Sequence, residues 1–540
     1  MIIFHYAMSK DVFLRKATGL VREFSVLDTI WINLGLVGII FSLTFISSTA
    51  PLTGGNPVYG GLLALFGTLL VSLAFSIVGI VAARSAGDYV FTSRYLNPAV
   101  GFVGNAGYFV ATVPLFMGIT IITLESFGLA ALFAYMGLYL HNPGYLNIAT
   151  TLQRPVYEFL VGGGITVLAS ILPIFGNRLF KILSRVILPL VLIAVVVMYA
   201  VLAFTPQSVA YARLQAIASN STLISSVNAF GSTYNSPPPS ISGFANILAL
   251  NAVYVVGFSY VISAIYVAGE VRQVKRNMPL AILGTLIICF LIFFGSIAFS
   301  YHTFGYNFLS NLYVMSIDYG KSPFPVTPYL DFLAAAISGN LYVGIFITLM
   351  ATLQLAWYQA NAVVVGSRLL LSYSLDRILP DAFADVSQRF HVPIKGIVTC
   401  LGIGLLTAVL LLLPSTSAVA FLMSSAAVAI ILLFPIAVVG IALINFRLNR
   451  RDEYNSSPVP STPFGGPLYW VVAAGTVIYA LVTFYSYVIT PAIFGYAGRE
   501  GLELIFIPII VLFGLFYLSK WINKRRGVPV DLIFKELPPE

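Results

Sequence analysis

The chain has 540 residues, 59% hydrophobic and only 9% charged, against about 25% charge in an ordinary soluble domain. That balance excludes a soluble globular enzyme and a disordered chain. Apolar runs longer than the roughly 18 residues that cross a bilayer identify an all-α polytopic membrane protein. The formal net charge is +9, and where it sits decides between a nucleic-acid surface and a topology signal.

In chain order, apolar runs set against breakers predict twelve spans. They lie at about 28–50, 58–82, 99–137, 158–174, 183–204, 244–268, 279–303, 341–371, 394–413, 416–445, 467–490 and 502–522. Residues 1–27 are a polar N-terminal segment with no removable leader pattern, so the first span is expected to do the targeting. The expected organisation is a first half over 28–204, a Ser/Asn/Thr-rich loop over 205–243 with Pro237, Pro238 and Pro239, and a second half over 244–445. A polar linker over 446–466, two further spans over 467–522 and a basic tail over 523–540 follow.

An even span count puts both termini on one side. All but four of the 28 Lys and Arg residues then share that side, the exceptions being Arg154, Arg213, Lys321 and Arg499. By the positive-inside rule it is the cytoplasmic side of the cell membrane. The surplus charge reads as topology, and nucleic acid is not an expected partner. Asn220-Ser221-Thr222 in the outer loop is a glycosylation sequon. Cys289 and Cys400 lie in apolar runs and the four histidines in tails, loops or span ends, so neither a disulfide framework, a metal site nor a cofactor is expected.

The first and sixth spans are not continuous helix formers. The first places Asn33, Gly35, Gly38 and Ser42 within three turns, and the sixth places Asn251, Tyr254, Gly257, Ser259 and Ser263 at similar depth. Glycine and small polar residues weaken helix there, and broken backbone survives in lipid only against protein or a water-filled cavity. Breaks at corresponding positions of two five-span halves of opposite orientation point to an inverted-repeat transporter. Close helix packing is the other reading of the same glycines.

Three segments carry a family resemblance. ARSAGDYVFTSRYLNPAVGF (83–102), GEVRQVKRNMPLAI (269–282) and SRLLLSYSLDRILPDAFADVSQRFHVPIKGI (367–397) resemble inner-loop motifs of the amino acid–polyamine–organocation permeases, in register over roughly residues 20–445. The chain departs from the pattern in places. Ala86 stands where the family often has glycine, a change expected to be harmless. Asp376-Arg377 replaces Asp-Gly, and the first span lacks a clean G-x-G. The fifth span, RVILPLVLIAVVVMYAV, lacks the lysine of some proton-coupled relatives.

The resemblance implies a prokaryotic type of amino acid transporter with a 5+5 inverted repeat of leucine-transporter type. Its substrate amino acid would sit between spans one, three, six and eight. Half-helix N-termini can receive the carboxylate and half-helix C-termini the ammonium. The substrate-binding candidates are Asn33, Gly35, Gly38 and Ser42 on span one, and Tyr254, Gly257, Phe258 and Ser259 on span six. Asn105 and Tyr108 on span three, three residues apart, share a face. Gln354, Tyr358 and Asn361 share one on span eight.

Glu125, an acid in a long apolar run about 25 Å beyond Tyr108, is a candidate for a role near the outer mouth or in coupling. Arg84, Asp88, Arg94, Glu270, Arg368 and Asp376 at inner span ends are candidates for gate pairs, expected to be partly exposed and weak, at about 1 kcal/mol or less. The function expected is alternating-access amino acid uptake, coupled to protons or working by exchange and independent of sodium. A polyamine, another organic cation or a nucleobase suits the same fold, as does a sensor that binds without transport. No catalytic or metal cluster at depth supports an enzyme, and no carbonyl-filter motif supports a channel.

Overall fold

A computed structural model describes residues 20–234, 243–412, 425–489, 498–528 and 530–535. Lys10, Arg15, Lys16 and the three prolines 237–239 lie outside them. Among the described residues the chain is helical, and an isolated bridge joins Phe24 to Val271. Eleven helices are long and apolar enough to cross a membrane, and a bent pair near the start brings the number to twelve. This is an all-α, multi-pass membrane protein.

The bent pair is α1 (Val26–Val37) and α2 (Ile39–Thr53), inclined at 44°. Then come α3 (Pro57–Val81), the short α4 (Gly87–Tyr95) and the long α5 (Pro98–Tyr139). Asparagine followed by proline starts both α3 and α5. The Asn56 and Asn97 side chains accept from first-turn N–H groups while proline at N1 forfeits nothing. Within α5, π-type turns at Ala111–Met117 and Glu125–Leu129 interrupt the α-helix; the first contains Pro114, which cannot donate to the ladder.

After α6 (Pro143–Leu152) come α7 (Pro155–Ile171) and α8 (Asn177–Phe204). The loop expected over 205–243 contains two helices, α9 (Gln207–Ile217) and α10 (Leu223–Tyr234). Its polar composition hid a sparse apolar set, Ala210, Leu214, Ile217, Leu223 and Val227, all buried. The Asn220 carbonyl between these helices accepts from the Thr222 N–H at 2.9 Å, an Asx turn.

The sixth span breaks. Helix α11 (Phe244–Phe258) ends at Ser259, and the chain resumes as a 3₁₀ stretch, Ser263–Glu270. The remaining elements are α12 (Val274–Phe304), α13 (Tyr306–Tyr313), α14 (Leu330–Ser338), α15 (Leu341–Leu375), α16 (Ile394–Leu412), α17 (Ser425–Asn449), α18 (Leu468–Ile489) and α19 (Gly498–Arg525). Helix α11 with its 3₁₀ continuation is almost wholly buried, whereas the apolar stretch of α19 is almost wholly exposed.

Helix α18 packs on α3 and α11. A Cβ on Gly67 of α3 would fall 1.9 Å from the Tyr479 ring, and Tyr479 donates to Asn251 at 3.1 Å. The end of the bundle where Arg94, Arg185, Arg272 and Arg368 bond to neighbouring elements is called the basic face below.

Candidate functional site

The first span breaks at Gly38, whose φ of 62° places it in the left-handed region that glycine enters without penalty. Helix α2 therefore starts in the middle of the protein without a side-chain cap. Such a start carries N–H groups that its own helix cannot satisfy. Helix α15 supplies amides beside it. A Cβ on Gly38 would lie 3.7 Å from Gln354 Nε2, and one on Gly35 would collide with Asn361 Nδ2 at 2.4 Å.

Among the described residues, both Gln354 side-chain heteroatoms and the Asn361 Oδ1 are buried without a hydrogen-bond partner. Leaving a buried polar group unmade costs about 1–3 kcal/mol. A cluster of such groups at a helix break therefore suits a site whose partners arrive with a ligand.

Aromatic rings wall this region. Phe116 of α5 stacks near Tyr260 of the broken sixth span at 5.5 Å and meets Tyr358 of α15 edge-on at 4.9 Å. Phe41, in the first turn of α2, meets Phe116 edge-on at 4.9 Å. Outward from there Phe41 neighbours Phe127 at 5.2 Å, and Phe127 stacks on Tyr329 at 4.2 Å, at the start of α14. On the other side, the Tyr108 hydroxyl bonds Ser263 at 2.6 Å and its ring packs on Tyr266 at 4.1 Å. Tyr358 donates to the Thr112 carbonyl at 3.1 Å.

The basic face is closed by buried polar links. Arg368 binds Glu270 through two nitrogens at 2.8 and 3.2 Å, and Asn177 donates to the same carboxylate at 2.5 Å. Both charged side chains are 0% exposed. Arg94 meets Asp376 at 2.7 Å, and Tyr89 donates to that carboxylate at 2.6 Å. These are not the partly exposed pairs expected. The motif residues lie on helices α4 and α15 and on the 3₁₀ stretch, which pack together here and exclude water from them.

Asp88 is buried with them. Asn105 donates to both its oxygens at 2.9 Å, and Tyr373 donates to the Asn105 carbonyl. Burial pushes the Asp88 carboxyl up to about 6. The chain entering α1 is pinned across the same face: the N–H groups of Glu23 and Phe24 donate to the Glu270 carbonyl, and Arg272 N–H donates to Phe24. Arg185 of α8 completes the closure by pairing with Asp28 at 2.7 Å.

A sequence profile of the amino acid permease family matches residues 28–533. The chain belongs to that family. It is a family of transporters and not of enzymes, and it implies a small-molecule substrate such as an amino acid. No curated protein matches the chain in direct comparison.

Within the permease the sequence-derived candidates separate into groups. Gly35, Gly38, Gln354, Tyr358 and Asn361 converge on the break of the first span. Tyr108 stands at its border. Asn33 is committed as a brace, accepting from the Ala264 N–H at 2.6 Å and donating to Thr285 at 3.1 Å. Ser42 and Ser259 donate back to the carbonyls of Val37 and Val255.

Others pack chiefly elsewhere. A Cβ on Gly257 would strike Phe293 of α12 at 2.5 Å while lying 3.2 Å from Ser42 Cβ of α2, and Phe258 lies 5.3 Å from the Phe293 ring. The Tyr254 hydroxyl lies toward Gly61 of α3. Asn105, expected near substrate, is instead held by Asp88 and Tyr373.

Glu125 is fully buried with neither oxygen bonded, and the charge it senses is Glu158 of α7. Its position follows from a tight crossing: a Cβ on Gly162 would lie 2.1 Å from the Ile121 carbonyl. Glu125 and Glu158 lie one turn beyond that crossing on antiparallel helices, while Phe127 is the residue of this turn that stacks on Tyr329 and lies tilted against Phe41. Arg84 bonds the Ala83 carbonyl at 3.2 Å within its own loop.

Phe41, Phe116, Tyr260 and Asn177 were not singled out from sequence. Forty-one phenylalanines and thirty tyrosines gave no contrast, though three residues after Gly38 on a half-helix start was a usable position for Phe41.

Proposed function

We propose that the permease carries amino acids across the cell membrane by alternating access, binding them at the break between α1 and α2. The observation that carries this reading is the unpartnered Gln354 amide beside Gly38 and the unpartnered Asn361 Oδ1 beside Gly35, the Asn361 Nδ2 being held by the Trp357 carbonyl. The start of α2 suits a carboxylate, because unpaired N–H groups and the positive end of the helix dipole coincide there. The amide oxygens of α15 suit an ammonium group, and the Phe41, Phe116, Tyr260 and Tyr358 rings suit an apolar or aromatic side chain.

The first and sixth spans, both broken, belong to two halves of an inverted repeat, 28–204 and 244–445. In this reading the basic face is cytoplasmic and holds both termini. Arg368–Glu270–Asn177, Arg94–Asp376–Tyr89 and Asp88–Asn105–Tyr373 form the inner gate. Glu125, buried with neither oxygen bonded among the described residues, is a coupling candidate.

Counterflow in proteoliposomes tests the reading. Vesicles loaded with a mixture of unlabelled amino acids should accumulate a subset of labelled amino acids offered one at a time, in sodium-free medium. Folded protein that accumulates none of the twenty would overturn it in favour of polyamines, nucleobases or a non-transporting sensor.

A further inference from the structure

Asp331 lies in the first turn of α14, a short helix outside the membrane-crossing set. It is 1% exposed, and neither carboxyl oxygen makes a hydrogen bond among the described residues. Helix α14 packs against α2, α5, α8, α9 and α15 on the face opposite the basic one. Tyr329, immediately before it, stacks on Phe127, which adjoins Phe41 at the candidate site. The helix therefore covers one end of the aromatic column that rises from the break.

We propose that Asp331 is a proton-binding site in this lid, so that seating α14 over α2 takes up one proton from the water on that side. The proposal rests on the permease reading above. A carboxylate sealed from water with no cation beside it, near only the first-turn N–H groups of Asp331 and Phe332, is costly to keep ionised and is neutralised instead.

The groups around it offer no counter-charge. Tyr313 of α13 and Tyr329 are its titratable neighbours. Arg213 of α9 is spent on the Ile337 carbonyl at 2.5 Å and lies against Gly339, at the other end of α14. Tyr135 and Tyr139 of α5 donate to carbonyls of Asn340 and Gly339 at that same far end. Glu125 of α5 senses Glu158. The cations of α8, Arg178, Lys181 and Arg185, stand in its first three turns toward the basic face, α2 carries no titratable side chain, and the charged residue of α15, Arg368, is held by Glu270 on the basic face.

On the preceding segment Lys321 lies over the Phe230 ring at 5.7 Å, and Asp318 is exposed. Burial pushes the Asp331 carboxyl up to about 7. When the lid lifts, water restores an ordinary carboxyl near 4, which releases the proton. Closure is thereby favoured by acid on the lid side, and an amino acid that enters is sealed in more readily as that side acidifies.

The test is counterflow in proteoliposomes across about pH 5.5 to 9, the pH equal on both sides, with wild type and Asp331→Asn. The wild-type rate should fall by up to roughly tenfold per pH unit above about 7, as one proton becomes scarce. Asp331→Asn should lose that dependence. A variant that keeps the wild-type profile overturns the proposal, as does a wild-type rate that follows sodium replacement by choline and ignores pH.

Should Asp331→Asn fail to fold, modification of the wild-type protein by a hydrophobic carbodiimide decides. The reagent attacks protonated carboxyls, so the Asp331 adduct read by peptide mass should be abundant near pH 6 and fade by pH 8.5. An adduct level that does not change with pH overturns the proposal. Wild type that shows no counterflow at any pH overturns the permease reading, and the adduct profile then still decides the fate of Asp331.

Discussion

Six of the described residues hold left-handed backbone without being glycine, and two of them, Ala86 and Arg377, stand where the family pattern has glycine. Ala86 has φ 54° and Arg377 has φ 61°. Substitution of Ala86 for glycine was expected to be harmless, but an L residue in this region costs roughly 1–2 kcal/mol. The chain offsets the strain locally. Ala86 N–H donates to the Tyr266 carbonyl at 3.2 Å, and Asn523 and Ser519 of α19 donate to the Arg377 carbonyl at 2.7 and 3.1 Å. Ala86→Gly and Arg377→Gly should each raise stability by about 1 kcal/mol, seen as a higher melting temperature in detergent; a lower one would show that the side chains contribute more than the strain removes.

Asp88 gives a pH signature of its own. Its carboxyl is raised to about 6 in the folded protein from an ordinary 3.8. Below the ordinary value the group is protonated whether the protein is folded or not, and it costs nothing. Between the two values only the folded protein keeps the proton, so stability falls as pH rises; above about 6 the loss is complete and constant. The stability of wild type relative to Asp88→Asn should therefore decline from about pH 4 to 6 and stay level above. A difference that is flat throughout would mean that Asp88 is not neutralised by burial.

At the scale of elements, the sequence located both broken spans because Gly38 and the Gly257–Ser263 stretch weaken helix in runs otherwise strongly apolar. It did not say which side chains face the break. Helical spacing put Gln354, Tyr358 and Asn361 on one face, and this face meets the α1–α2 break and α5. The same reasoning gave no view of Tyr254, Gly257 and Phe258, because their neighbours, the Phe293 ring of α12 and Gly61 of α3, belong to other elements whose placement helical spacing does not report.

The basic-face gate is an association of elements too. The segment before α1 bonds to the end of the 3₁₀ stretch, and Phe24 pairs with Val271. If alternating access separates these elements, a disulfide between Phe24→Cys and Val271→Cys should stop transport, and reductant should restore it. The native Cys289 and Cys400 are buried and do not compete. Transport that continues with the bond fully formed would show that this seam does not open.

Over the whole molecule, composition and charge made the span number and the all-helical class legible, since both follow from hydrocarbon thickness and the cost of unpaired backbone in lipid. The helices hidden in the loop between α8 and α11, and Asp331 in the lid, were not legible. Their character comes from burial by elements distant in the chain, which local polarity does not report. The last two spans, read as an addition to the core, differ from each other: Tyr479 and Thr483 of α18 bond Asn251 of the broken sixth span, whereas α19 touches the core chiefly at its basic end.

Helix α14 reaches the aromatic column on one side of the α1–α2 break, and buried ion pairs hold the basic face on the other. The direct measurement is the affinity of Gln354→Ala for the amino acid that wild type exchanges best in counterflow. Loss of a hydrogen bond to a charged group, worth about 1.5–3 kcal/mol, should weaken binding roughly 10- to 100-fold while the melting temperature stays near wild type. Unchanged affinity in the folded variant would contradict a substrate site at this break.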